Sequence, residues 1–273
     1  MAATPKTRDR SSKPGIGWRR ALLLSVLIIA LATAVYATQQ IELFMIRDAR
    51  FTLTPPAEYG DESPALKLTG IKFASRGQVL RVFQQDVGRS LYLFPMADRY
   101  KTLVRIPWVK EASILRTWPN QIQVRITERR PVAYIEFRSE AISNWWLIDE
   151  EGVILEPPAR TAFDVPVLTG VRADESKAIR AVRTRRMMRL LDELGADRTR
   201  ISDVDVADLD NLKVTVKVNG RAVILILGDR NFHGRFQNFV DHYAEIQKRI
   251  ASVSALDLRL DRIITVPSGA RHD

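Results

Sequence analysis

The 273-residue chain reads as an α+β protein: one membrane-spanning helix, a small β-α-α-β-β module, then a mostly antiparallel β domain with flanking helices. Three observations predict this. Residues 21–37 carry no charge and follow a basic tail, residues 121–128 alternate apolar and polar side chains without a fault, and Asn219-Gly220 separates two apolar, β-rich runs. With 46% hydrophobic and 27% charged residues, the composition is that of a folded chain and excludes disorder over most of the length. No cysteine is present, so a disulfide framework, a thiolate metal site and a cysteine nucleophile are all excluded.

The anchor comes first. Lys6, Arg8, Arg10, Lys13, Arg19 and Arg20, opposed only by Asp9, make residues 1–20 a basic tail. Residues 21–37 supply the short end of the roughly 17–25 apolar residues that a spanning helix needs. Ile41, Leu43, Phe44, Met45 and Ile46 extend the apolar character past the polar break at residues 38–40, which gives a span of 21–46. The positive-inside rule keeps the tail in the cytoplasm and places the remainder across the membrane. An uncleaved anchor is the expectation. A cleaved secretory signal is the alternative, and Ala32-Thr33-Ala34 would be its processing site. Half of the net charge of +10 lies in the first 37 residues, which leaves the exported part too weakly basic for a polyanion-binding protein.

In the first module, residues 66–70 read as a strand and Ser75 as the cap of a helix through Val79, Leu80, Val82 and Phe83. A second helix, from Met96 through Tyr100, Leu103 and Val104, is stopped by Pro107, which has no amide hydrogen. Strands 109–118 and 121–128 follow, joined at Pro119-Asn120. Trp108 and Trp118 are expected to pack this small core, and full burial of Trp118 would make its truncation cost about 3–5 kcal/mol. Glu128 and Arg129 mark a domain junction.

The second module adds strands at 132–137 and 145–148, a turn at 149–152 and a strand at 153–155. Strands 212–218 and 221–227 flank Asn219-Gly220, a strong hairpin signal because both turn residues need positive φ. A helix over 175–194 ends at Gly195. Ile179, Val182, Leu190 and Leu194 form its apolar face, and Arg183-Thr184-Arg185-Arg186 its solvated one. Phe232, Phe236, Phe239, Tyr243, Ile246 and Ile250 make a core stripe along one further helix. Leu256, Leu258 and Leu260 alternate with Asp257, Arg259 and Asp261, so the chain closes in a strand before the polar tail 268–273.

Catalytic signatures are missing: no G-x-S-x-G, P-loop or H-E-x-x-H occurs. His233 and His242 lie nine residues apart, two and a half helical turns, which puts them on opposite faces and argues against a zinc pair.

Ile106-Pro107-Trp108-Val109-Lys110-Glu111-Ala112-Ser113, then Arg116-Thr117-Trp118-Pro119-Asn120, then Val124-Arg125-Ile126-Thr127-Glu128-Arg129-Arg130-Pro131-Val132-Ala133, closely resemble the cell-division proteins FtsQ and DivIB. Leu147-Ile148-Asp149 with Gly152 and the closing residues 256–260 add to it. The resemblance implies a POTRA domain over 47–130 and an FtsQ-type β domain over 131–267. It also implies a scaffold without catalytic activity or cofactor, in the inner membrane at the division septum. Its partners would be FtsB and FtsL, together with other septal membrane proteins. In that family FtsB adds a strand to the edge formed by the last strand, here 256–266, and the family's contact arginine matches Arg259. The implied contact surface is Leu258, Arg259, Leu260, Asp261, Arg262, Ile263 and Ile264. Leu260 stands where an aromatic residue often follows the arginine, and residues 54–64 lengthen the loop before the first POTRA strand. Residue alternation supplies a mechanism for such an edge: backbone pairing gives affinity and the outward charges Asp257, Arg259 and Asp261 give register. Two other readings are an exported POTRA-containing assembly or transport component and a membrane-anchored cell-wall enzyme.

Overall fold

A computed structural model describes residues 17–54, 65–138, 143–218, 220–249, 253–260 and 264–267. Most of the basic tail, the loop 55–64, Asn219, Ile250, Asp261, Arg262, Ile263 and the tail 268–273 lie outside the described residues. The chain divides into two compact units. One comprises Met1–Lys67, Phe83–Met96 and Leu115–Gln123; the other comprises Leu68–Val82, Ala97–Ile114 and Val124–Asp273.

Helix α1 (Gly17–Arg47) runs unbroken through Thr38-Gln39-Gln40, and none of its residues is buried. Isolated polar side chains do not interrupt a helix, because Thr38 returns its hydroxyl to the carbonyl of Val35 (2.8 Å) within the same turn. By length and composition α1 can cross a membrane.

The POTRA order is found as β1 (Leu66–Thr69), α2 (Arg76–Phe83), α3 (Met96–Leu103), β2 (Val109–Thr117) and β3 (Gln121–Glu128). The strands form a sheet ordered β1-β3-β2. The faultless alternation of residues 121–128 is explained by burial, since Ile122, Val124 and Ile126 all lie in the core. Trp108 is buried, but Trp118 is 48% exposed and rests edge-on against Phe51. The cost expected for truncating a buried Trp118 therefore does not apply, because residues 118–120 form the turn between β2 and β3 and the ring has no core to enter.

The remaining strands are β4 (Pro131–Arg138), β5 (Ser143–Asp149), β6 (Ile154–Leu155), β7 (Val167–Thr169), β8 (Ile201–Asp205), β9 (Leu212–Val218), β10 (Arg221–Gly228), β11 (Val253–Asp257) and β12 (Ile264–Pro267). They build a nine-stranded sheet ordered β12-β11-β10-β9-β8-β7-β4-β5-β6. Pairing is antiparallel except for β4 with β7, β7 with β8, and β10 with β11. Helices α4 (Lys177–Leu194), α5 (Phe232–Asp241) and α6 (Tyr243–Arg249) flank it. Phe232, Phe236 and Phe239 of α5 join Met187 and Leu190 of α4 and Val214, Val216, Leu225 and Leu256 of the sheet in one buried cluster.

Several expectations are corrected. Strands β7 and β8 were not predicted: β7 has only three residues, and β8 mixes Ser202, Asp203 and Asp205 into its sequence, so tertiary pairing rather than local pattern makes them strands. The single helix expected over the aromatic stripe breaks at His242, whose N–H caps α5 on Asn238 O and Val240 O. Ile179 and Val182 are exposed, and the buried face of α4 is Ala181, Thr184, Met187, Leu190 and Leu194. Of the arginine run beside them, Arg185 alone is exposed to solvent. Thr184 is fully buried, Arg183 donates to Val206 O, and Arg186 donates to Leu209 O (3.2 Å) and Asp229 O (2.6 Å). These guanidinium groups tie the loops after β8 and β10 to α4 by satisfying carbonyls that water would otherwise hydrate.

Candidate functional site at the outer edge of the large sheet

Strand β10, third from one edge of the sheet, brings four consecutive buried residues, Leu225 to Gly228, between its neighbours β9 and β11. Residues 212–218 and 221–228 form the expected hairpin, with Gly220 at φ +76°. On the other side β11 lies parallel to β10, pairing Leu225 with Leu256 and Ile226 with Asp257, and the Leu258 N–H donates to Ile226 O (3.0 Å).

The chain then turns. Asp257 Oδ1 accepts from the Arg259 N–H (3.0 Å), a short side-chain-to-backbone bond that competes with continued extension. The Arg259 guanidinium closes back on the same carboxylate, Nε to Oδ1 at 3.0 Å and Nη2 to Oδ2 at 2.6 Å. That hydrogen bond holds the Asp257 carboxyl below the usual carboxylate range against the opposing effect of burial, with the charge of Arg235 assisting; reciprocally it raises Arg259. Gly228 ends β10 at φ +74°, and a side chain there would meet Arg235 Nη1 at 2.7 Å and Arg259 Cγ at 3.2 Å. The stem of Arg259 thus lies over the end of β10.

After the turn, β12 runs back antiparallel to β11, with Ile264 opposite Asp257, Thr265 opposite Leu256 and Val266 opposite Ala255. The single closing strand expected over 256–266 is therefore two strands. Strand β11 is interior, paired on both flanks, and β12 is outermost, with no strand on its far side among the described residues. Leu260 does not follow Leu256 and Leu258 into the core and is 62% exposed, because the Asp257–Arg259 turn ends the alternation before it.

Of the predicted contact residues, Leu258 is fully buried, Arg259 and Leu260 are exposed on the turn, and Ile264 opens β12. Asp261, Arg262 and Ile263 lie outside the described residues. What the arrangement offers chemically is a short row of backbone donors and acceptors beside an anchored charge pair.

A second cluster was only partly legible. The Glu128 carboxylate at the end of β3 accepts from three consecutive amides, those of Lys72 (2.9 Å), Phe73 (2.8 Å) and Ala74 (2.7 Å). Next to it, Arg129 Nη1 donates to Asp149 (2.7 Å) and Glu151 (2.9 Å), where Asp149 is buried. Burial opposes the Arg129 charge, but the bonds to Glu151 and Asp149 prevail and raise its pKa; Glu151 is lowered in turn, first by Arg129 and then by Lys177. Phe73 packs at a tilt against Trp108 and Phe163, which stack on each other, and the Trp108 indole donates to Glu156 O (2.9 Å). Gly152 in the β5–β6 turn has φ +76°, and a Cβ on it would come within 2.5 Å of the Ala181 amide in α4.

Comparison with known proteins bears on both halves. The family model described as POTRA domain, FtsQ-type, matches residues 65–129, and that described as Cell division protein FtsQ/DivIB, C-terminal, matches 137–259, stopping short of β12. The chain is 34% identical over 222 residues to the cell division protein FtsQ of Koribacter versatilis, covering 77% of this chain and 63% of that one. It is 30% identical over 159 residues to FtsQ of Coxiella burnetii, covering 58% and 59%, and 24% identical over 163 residues to FtsQ of Escherichia coli, covering 58% and 54%. The chain thus spans about six-tenths of the length of the curated relatives it matches. With a POTRA domain and a C-terminal β domain of the matching types, in that order behind an apolar helix, the chain belongs to the FtsQ/DivIB family of cell division proteins.

Proposed function

We propose that this protein is a non-enzymatic, single-pass scaffold of the bacterial division machinery. Residues 1–20 face the cytoplasm and 21–46 span the inner membrane, while the POTRA domain (47–130) and the β domain (131–267) stand on its outer side at the septum. FtsB docks by adding a strand to β12, FtsL accompanies it, and other septal membrane proteins join the assembly. Leu258, Arg259, Leu260, Asp261, Arg262, Ile263 and Ile264 form the docking segment: the turn is pinned by Asp257, and the strand that follows supplies the pairing groups.

The observation that carries this reading is the position of β12 as the outermost strand of a nine-stranded sheet. Its four residues are too short an edge to invite indiscriminate aggregation but long enough to set register. Main-chain pairing would provide affinity, and the side chains flanking the turn would select the partner.

Neighbouring residues of a strand send their N–H groups to opposite sides, so of Thr265 and Val266 one donates toward β11 and the other outward. Proline removes the donor. Of Thr265→Pro and Val266→Pro, the variant that loses the inward donor is expected to unfold more readily. The other keeps its melting temperature but binds FtsB more than roughly tenfold more weakly in a titration. Undiminished affinity in both variants would contradict the assignment.

A further inference from the structure

The end of α1 and the segment that folds back onto it form a collar with a distinctive surface. At ~1.5 Å per residue α1 is about 46 Å long, whereas the apolar core of a bilayer is about 30 Å thick. Counting from Ala21, about 20 residues cross that core, and the last turns through Ile41 to Arg47 continue into the headgroup layer.

Residues 88–94 are fastened along those last turns rather than beyond them. The Ser90 hydroxyl donates to Met45 O (2.7 Å), and the Tyr92 hydroxyl donates to Glu42 (2.8 Å). The Gly88 N–H donates to Leu53 O, and the Leu53 N–H donates to Arg89 O, which ties residue 53 into the same collar. An aromatic chain continues from the helix: Phe44 meets Phe51 at 5.9 Å and Phe51 meets Trp118 at 5.7 Å, both edge-on. Arginines cover it, with Arg50 5.6 Å over Phe44 and Arg116 5.8 Å over Trp118, and Arg116 also donates to Phe94 O (3.0 Å).

For a water-facing surface this is poorly made: Leu93 is 58% exposed, and Phe44 and Trp118 are about half exposed. Of the nearby carboxylates, Asp48 is neutralised by Arg50 (2.9 Å), while Glu42 accepts the Tyr92 hydroxyl and keeps its charge on the helix side of the collar. Apolar and aromatic side chains interleaved with arginines, at the depth where a spanning helix leaves the hydrocarbon, match the belt by which proteins seat in the membrane interface.

We infer that this collar is a lipid-binding surface: Phe44, Leu93 and Trp118 enter the outer headgroup layer while Arg116, bonded only to a neutral carbonyl in the collar, takes an anionic phospholipid phosphate. The inference rests on the reading of α1 as a membrane span. It gives the first unit a fixed seat on the bilayer instead of a free tether.

The absence of cysteine allows single-site labelling of the full-length chain. Leu93→Cys and, separately, Trp118→Cys would carry an environment-sensitive fluorophore, and Ile28→Cys, near the middle of the uncharged run 21–37, would report insertion. Each protein is reconstituted into vesicles of phosphatidylethanolamine and phosphatidylglycerol, with or without lipid bearing a nitroxide just below its headgroup or near its acyl-chain end. The headgroup-level nitroxide is expected to quench the Leu93 and Trp118 probes by about half, and more as the phosphatidylglycerol fraction rises. The deep nitroxide should quench Ile28. Quenching at Ile28 with none at residues 93 and 118 would overturn the collar and leave the span intact. No quenching at any of the three would overturn both. Probes at 93 and 118 that are shielded in detergent as well as in vesicles, yet ignore the nitroxides, would show a second protein chain on this surface and overturn the lipid assignment.

Discussion

Arg129→Met is expected to lower the stability of the β domain by about 3–5 kcal/mol, because it breaks a buried ion pair from one side. The Arg129 side chain is 11% exposed and that of Asp149 only 3%. Methionine replaces the volume of the arginine stem but leaves Asp149 with no cation. The second Asp149 oxygen is already committed to the amides of Glu151 (3.0 Å) and Val153 (2.7 Å), so it cannot turn outward without opening the β5–β6 turn. That turn also packs Gly152 against α4, where the Arg180 Nε donates to Gly152 O (2.9 Å). Arg129→Lys keeps the charge, but its ammonium sits on a shorter stem than Nη1, the nitrogen that serves both Asp149 and Glu151, and about 1–2 kcal/mol is expected for it. Urea unfolding of both variants followed by fluorescence provides the measurement. A loss under about 1 kcal/mol for Arg129→Met would contradict the pairing of the buried carboxylate as a main support of this turn.

Glu128→Ala is expected to cost about 3 kcal/mol, since it leaves three consecutive amides without their acceptor. Those amides, of residues 72–74, follow Gly70 at φ +83° and converge on one carboxylate in the manner of an anion-binding nest. The segment they hold leads directly into Ser75, which caps α2, and carries Phe73 onto Trp108 and Phe163 at 5.4 and 5.1 Å. Releasing it therefore loosens a helix start and an aromatic cluster together. Glu128→Gln retains one acceptor oxygen without the charge, and roughly half the loss is expected. Thermal unfolding separates the two variants; if neither differed from the unmodified protein, the amides would be satisfied by water and the carboxylate would be incidental.

These two residues also show where the sequence is readable and where it is not. Their place at the end of a perfectly alternating strand marked a junction, but their partners lie 54–56 residues upstream for Glu128 and 20–22 downstream for Arg129, a separation that no local pattern encodes. The β9–β10 hairpin was legible because its turn chemistry sits in two adjacent residues. Strand β7 was not, because three residues carry too little periodicity to be told from a loop. The aromatic stripe correctly located a core face and missed the break at His242, where the backbone, not the apolar pattern, decides the path. At the closing edge, alternation through Leu260 is equally compatible with one strand or with two. What decides is the bond from the Arg259 amide to Asp257, a local competitor of extended structure that leaves Leu260 in solvent and turns the chain back as β12.

That reversal narrows the open edge expected over residues 256–266 to residues 264–267, and the proposed partner strand must lie there. Amide hydrogen exchange on the full-length protein, with and without the extracytoplasmic part of FtsB, tests this directly. Exchange within β12 should slow by roughly tenfold or more at the outward-facing amide of Thr265 or Val266 when FtsB is bound, with β11 already protected in its absence. Binding that leaves the β12 amides unchanged and protects a different surface would contradict the account.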